Sequence, residues 1–384
     1  MNPIFVTSTG EGTGKTAIAI AVAKLAQDRG LDVAYFKPKG TRLKSPVGKT
    51  RDEDPLLARE MLGIEADLAD LEPVVYSPAF IEEAIRGNRD GEVRERVREH
   101  FDALADDYDL VVVEGGGRLE TGGIVGLTDP DVAELLDART VVVGGYANPA
   151  DVDGVLAAAR QFEDHLAGVL FNAVADANFD SLNTDVVPFL EARDIPVLGI
   201  VPRVQELAGI TVADLADAVG ADLLNPEAST DGFVERFAVG AMGSDAALRH
   251  FRRMRNAAMI TGGDRSEIQA AALEAPGIET IVLTGGLRPS GAILGKAAEA
   301  DVPVLLVQSD TKVTVDRIES VLSTGRTRDP ETVERMVDLL ADHADLDGLF
   351  AAREPSLDTD SEAGDDTGTD GGTEPDDDAE TGEK

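Results

Sequence analysis

The stretch Thr7-Ser8-Thr9-Gly10-Glu11-Gly12-Thr13-Gly14-Lys15-Thr16 constrains this chain more than any other part of it. It follows a short apolar run at residues 4–7 and opens an Ala-rich amphipathic segment at 16–29, so it stands at a strand-to-helix junction. Glycines at 10, 12 and 14 let backbone N–H groups turn inward around an anion, and the following helix adds its positive N-terminal end. The next two residues complete the pattern: Lys15 can reach β- and γ-phosphates, and the Thr16 hydroxyl can coordinate Mg2+. A strict G-x-x-x-x-G-K-[ST] motif would have glycine at position 9, where this chain has Thr9. A dinucleotide fingerprint fits worse, because Lys15 occupies the slot of its third glycine. The plain alternative is a glycine-rich turn that binds nothing.

Runs of β-branched and apolar residues at 4–7, 32–36, 110–114, 140–144, 168–172 and 197–201 alternate with helical stretches through the first two hundred residues. Continuous apolar strands separated by helices imply right-handed βαβ units and a parallel sheet covered on both faces. The expected fold class is α/β, with a P-loop NTPase-like parallel sheet over residues 1–204. A second, smaller α/β domain is expected over 205–325. Its first helix is capped by Thr211, with Asp214 at the third helical position. Strands at 258–261, 280–284 and 302–307 each lead through a Gly or polar turn into a helix. Residues 326–349 read as a C-terminal helix, and 350–384 as an acidic tail too poor in apolar residues to order itself.

A second element supports a nucleotide site. Leu110-Val111-Val112-Val113-Glu114 is a buried strand ending in an acid, followed by Gly115-Gly116-Gly117. An acid at the C-terminal end of a neighbouring strand can support Mg2+, and the glycines let the backbone pass close to phosphates. Against this stands a surface loop acid in an acidic protein. Lys37 and Lys39 draw notice because only 9 of the 35 basic residues are lysine. The alternative for both, and more so for Lys39, is solvated loop charge.

The 35 Lys+Arg and 73 Asp+Glu residues give a net charge of −38. From Glu354 onward 13 acidic residues meet one basic one, which leaves −26 on the body. Such a surface repels nucleic acid and anionic membranes. An acidic body, few lysines and small apolar side chains look like a salt-adapted cytoplasmic protein, and no stretch resembles a signal peptide or membrane span. The absence of cysteine removes disulfides and cysteine metal sites, and the four histidines lack ligand spacing.

Phe5-Val6-Thr7, the Gly-Lys-Thr, Phe36-Lys37-Pro38, Val113-Glu114-Gly115-Gly116, Asn172 and Ile195-Pro196-Val197-Leu198-Gly199-Ile200-Val201-Pro202 resemble the ATP-dependent dethiobiotin synthetase family. They are closer still to the variant of that domain at the N-terminus of long phosphate acetyltransferases. The resemblance implies ATP and Mg2+ as cofactors, bound along Gly10, Glu11, Gly12, Thr13, Gly14, Lys15 and Thr16, with Gly115, Gly116 and Asn172. It implies Thr16, Asp54 and Glu114 at the metal, Lys15 and Lys37 as catalytic lysines, and Asn172 on the adenine edge. Asp52 and Glu53 compete with Asp54, and Asn172 could instead cap its turn. No residues match a diaminopelargonate site, beyond a hydroxyl at Thr41.

Ile210-Thr211-Val212-Ala213-Asp214-Leu215, Thr261-Gly262-Gly263-Asp264-Arg265 and Thr284-Gly285-Gly286 resemble the DRTGG domain family, which implies a regulatory role. There Gly262, Gly263, Asp264 and Arg265 form a candidate anion cradle at a helix N-terminus, or an ordinary βα turn capped by Asp264. The expected function is Mg·ATP binding with ATPase or ligase chemistry on a small carboxylate or carbamate. The alternative is a non-catalytic nucleotide sensor or a regulatory subunit in acetyl-phosphate or acyl-CoA metabolism. A nucleotide, an unknown small molecule and further copies of the chain are the expected partners.

Overall fold

The computed structural model describes residues 2–10, 12–41, 43–44, 51–87, 92–204, 207, 209–324 and 330–351. The expected tail therefore lies, from residue 352, outside the described residues, as does Glu11.

The first half forms a six-stranded sheet. In chain order its main elements include β1 (Ile4–Ser8), α1 (Lys15–Asp28), β2 (Val33–Phe36), α2 (Asp54–Leu62), α3 (Glu92–Asp107), β3 (Leu110–Glu114), β4 (Arg139–Gly144), α4 (Asp151–Phe162), β5 (Leu166–Val174) and β6 (Val197–Pro202). The spatial order is β6-β5-β4-β1-β3-β2, and every pair is parallel. Strands such as Leu110-Val111-Val112-Val113 are buried along their whole length, because helices cover both faces. β1 sits at the centre with non-sequential neighbours on both sides, so its C-terminal end is the topological switch point of the sheet.

The second sheet comprises β7 (Asp222–Leu223), β8 (Arg236–Val239), β9 (Ala257–Gly262), β10 (Ile278–Thr284) and β11 (Val304–Leu306), in the order β7-β11-β10-β9-β8. β7 is antiparallel to β11, and the rest are parallel. The helices of this half are α5 (Val212–Val219), α6 (Ser244–Phe251), α7 (Ser266–Leu273), α8 (Gly291–Glu299) and α9 (Thr311–Thr324). Because four parallel strands follow one another in sequence order, right-handed crossovers place α6, α7 and α8 on one face. α5 and α9 cover the other. The three expected strands are present. The sequence reading missed β8, whose Arg-Phe-Ala-Val carries no β-branched run, and the two-residue edge strand β7.

The C-terminal helix α10 (Pro330–His343) and the short α11 (Leu346–Phe350) pack into the core of the first sheet, not the second. Val333, Met336, Leu339 and Leu340 face α1. Ala344 bridges to Gly199 of β6, and the Asp345 N–H donates to the Leu198 carbonyl at 2.7 Å. Arg29 stacks on the Phe350 ring at 4.4 Å, and Arg139 donates to the carbonyls of Gly348 and Leu349. This explains why α1 is apolar nearly all round: the sheet covers one side and α10 the other.

Candidate functional site

The C-terminal ends of β1, β2 and β3 open into one cleft of about 430 Å³, counted to its open mouth. Its walls include Gly10, Gly12, Thr13, Gly14, Lys15 and Thr16 from the β1–α1 turn. Gly14 adopts φ +82° just before α1, a left-handed turn that suits glycine. A side chain there would also strike the Asn172 amide, 2.6 Å from its Cβ. That amide donates to the Thr13 carbonyl at 2.8 Å, tying the middle of β5 to the glycine turn rather than capping its own strand.

Lys15 is half-buried and donates to the Gly117 carbonyl at 2.8 Å. Burial pulls its pKa below the usual lysine value, although Asp129 and Glu114 act in the opposite direction. Thr16 donates to Glu114 Oε1 at 2.7 Å. Tyr35, fully buried on β2, donates to Glu114 Oε2. Burial raises the Glu114 carboxyl above its usual range, with Asp54 adding to the rise and Lys37, Lys15 and the Tyr35 bond opposing it. Burial, followed by the charges of Glu114 and Asp54, also raises the Tyr35 phenol, which keeps it a donor.

Lys37 is 2% exposed and sits among three carboxylates. It pairs with Asp54, with Asp52 at 3.1 Å and with Glu114 at 3.5 Å. Burial disfavours its charge, but Asp54, Glu114 and Asp52 outweigh that and hold its pKa above the usual lysine range. The solvated-loop alternative therefore fails for Lys37. It fails for Lys39 as well. Lys39 is 1% exposed and pairs with Asp129 at 2.8 Å, and Asp129 also accepts from Thr7. Gly115 and Gly116 make room for this pair: a Cβ on Gly115 would lie 2.3 Å from Asp129 Oδ2, and one on Gly116 would lie 2.5 Å from the Lys39 carbonyl. Gly115 lines the cleft, whereas Gly116 faces Lys39.

The expected metal set can be judged on these contacts. Among the described residues no three His, Asp or Glu side chains form a ready-made cage. Thr16, Asp54 and Glu114 nevertheless all line the cleft, and the Lys37 ammonium already bridges Asp54 and Glu114. A buried ammonium between carboxylates marks a place that favours positive charge. One hydroxyl and two carboxylates also suit Mg2+, which takes few protein ligands and completes its shell with water and phosphate oxygens. A second hollow of about 1090 Å³ adjoins the cleft through Gly12 and Thr13, with Tyr146, Asp151 and Asn172 on its far walls.

In the second half, Arg265 donates to the carbonyls of Gly240 at 2.7 Å and Met242 at 3.4 Å. Gly262 and Gly263 close the β9–α7 turn, with Gly263 tight against the Leu287 carbonyl. Asp264 is exposed, and no side chain caps α7. The four residues are thus adjacent, but the guanidinium is turned to backbone carbonyls.

Residues 2–211 match the AAA domain family, more than half of the chain. The chain belongs to the AAA domain family. Residues 214–321 match the DRTGG domain, so the two modules follow one another. The phosphate acetyltransferase of Pseudomonas putida is 25% identical over 365 residues, which cover 90% of this chain and 51% of that protein. The cobyric acid synthase of Syntrophobacter fumaroxidans is 28% identical over 239 residues, covering 54% of this chain and 44% of that protein. A ParA family ATPase from Chlorobium tepidum matches in structure with a TM-score of 0.35 and 18% identity, over 54% of this chain and 87% of that one. The chain spans about half the length of the phosphate acetyltransferases it matches.

Within the AAA domain, sequence reading missed Tyr35 and the Lys39–Asp129–Thr7 cluster. Tyr35 lies in a strand whose apolar neighbours make it read as core. Asp129 stands in Thr-Asp-Pro-Asp, which reads as a helix start, and Thr128 and Asp131 do form a capping box there. No described helix is long and apolar enough to cross a membrane.

Proposed function

We propose that the AAA domain binds Mg·ATP and either hydrolyses it or transfers its phosphoryl group to a small carboxylate or carbamate, with the DRTGG domain regulating it. One observation carries this reading. Thr16 in the first turn of α1, Glu114 at the end of β3 and Lys37 just past β2 form a continuous chain of contacts beside a glycine turn. Thr16, Asp54 and Glu114 would hold Mg2+, which when bound neutralises phosphate oxygens. Backbone N–H groups of the glycine turn and the α1 N-terminus would bind the phosphates. Lys15 and Lys37 would meet charge that builds up on a transferred phosphoryl group. Asn172 spends its N–H on Thr13, so it would offer its carbonyl oxygen to a base amino group in the adjoining hollow.

Titration calorimetry in molar KCl tests this. ATP with Mg2+ should bind the wild type, and Lys15→Ala should weaken binding roughly 10- to 100-fold, as expected for a charge-assisted hydrogen bond. The affinity should also depend on pH in a defined direction. Phosphate binding needs Lys15 protonated, and its pKa is lowered by burial while that of Lys37 is raised. Affinity should thus fall on the alkaline side earlier than an ordinary lysine allows, with Lys15→Ala removing that limb. Equal affinity in wild type and Lys15→Ala would sink the reading.

A second reading rests on the phosphate acetyltransferase relatives, whose match runs through both modules. It makes the chain a non-catalytic nucleotide sensor or a regulatory subunit in acetyl-phosphate or acyl-CoA metabolism. ATP binding with no phosphate release across a panel of small acids and amines would favour it. In either case the chain would act as a homo-oligomer.

A further inference from the structure

We infer that Asp52 is a positioning residue for the phosphate cleft, holding a second seat for the Lys37 ammonium. This rests on the Mg·ATP reading above and extends it. Asp52 is 4% exposed and lines none of the cleft, yet it touches three groups that do. Its Oδ2 lies 3.1 Å from Lys37 Nζ and accepts the Thr41 N–H at 3.2 Å. Its Oδ1 accepts the Asp54 N–H at 3.2 Å. Its own N–H donates to Glu72 Oε2, so the backbone that carries it is also held.

The consequence follows from where Lys37 stands. Its ammonium bridges Asp54 and Glu114, two of the three groups expected at the metal. A divalent ion and an ammonium compete for those oxygens. Asp52 offers Lys37 a third carboxylate outside the metal set, so the lysine can yield Asp54 and Glu114 and remain paired in a buried site. Without that charge, yielding would leave the ammonium no protein carboxylate in a low-dielectric pocket, at high cost. Asp52 thereby acts through Lys37 on metal entry, while it fixes Thr41 and Asp54 through their backbones.

The test measures how much Mg2+ the full-length chain needs for half-maximal ATP binding. Asp52→Asn keeps an acceptor of nearly the same shape and removes the charge. It should raise the Mg2+ requirement roughly 10-fold or more, the usual scale for a group behind a metal ligand. Asp52→Glu, which keeps the charge, should stay well below that rise of roughly 10-fold. In a Lys37→Gln background, Asp52→Asn should add nothing, since no ammonium competes. A requirement unchanged by Asp52→Asn would overturn the inference, as would an equal rise in both backgrounds. Should the wild type bind no ATP, the nucleotide reading fails, and the Mg2+-induced rise in melting temperature of the same proteins decides about Asp52 by the same criteria. Absence of any Mg2+ effect on the wild type overturns both.

Discussion

Lys37→Met should lower the free energy of unfolding by about 3–5 kcal/mol, the scale for removing one partner of a buried ion pair. Methionine fills similar space, so the loss reports charge more than packing. What remains would be Asp52, Asp54 and Glu114, each no more than 4% exposed, without the cation they share. The pH dependence has a definite sign. The folded pKa of Lys37 is raised, so its contribution is fully present below the ordinary lysine value of about 10.4 and is lost only as pH rises through the folded value. The difference between wild type and variant should therefore be constant from neutral to mildly alkaline pH. It should shrink in acid, where Glu114, whose carboxyl burial already raises, takes up a proton. Chemical denaturation in molar KCl at several pH values measures this, and a difference near zero at neutral pH would show that the carboxylates do not depend on Lys37.

A chain ending at Thr324 should fail to hold a folded AAA domain. Val333, Met336, Leu339, Leu340, Leu349 and Phe350 are all at most 7% exposed in the core of the first sheet. At about 1.5–3 kcal/mol for each buried side chain, their loss is comparable to the whole stability of a typical domain, about 5–15 kcal/mol. The removal would also uncover the outer face of α1, the helix that begins with Lys15 and Thr16. Melting followed by circular dichroism should show one cooperative transition missing from a 1–324 chain and present in a 1–352 chain. Leu340→Ala in the full chain gives the graded version, about 2–5 kcal/mol. A 1–324 chain that melts like 1–352 would make α10 dispensable.

Parallel strands were legible because burial on both faces writes them as unbroken apolar runs, and the glycine turn was legible because its residues are contiguous. The charge network around it was not. Thr7 and Asp129 are 122 positions apart, Tyr35 and Glu114 are 79, and Lys39 and Asp129 are 90. Such pairs depend on which strands become neighbours, and no local pattern encodes that. Lys39 carried a visible hint, scarcity of lysine, whose sense only burial could decide. The helix at 330–343 stands where the sequence has one, but nothing in its own residues says which sheet it covers. The signal lay elsewhere, in an α1 whose Ala and Ile residues leave no polar face for water.

The way the first domain is completed has a consequence for its synthesis. The second sheet and its helices lie within residues 212–324 and emerge from the ribosome as a finished set. The first sheet, whose strands are all made by Pro202, must wait for Phe350 before the back of α1 is covered. At 5–20 residues per second that interval is on the order of ten seconds. Throughout it an apolar helix face stands open, while a complete DRTGG domain forms downstream. The half of the chain that is made first is the half whose core receives its last residues at the end.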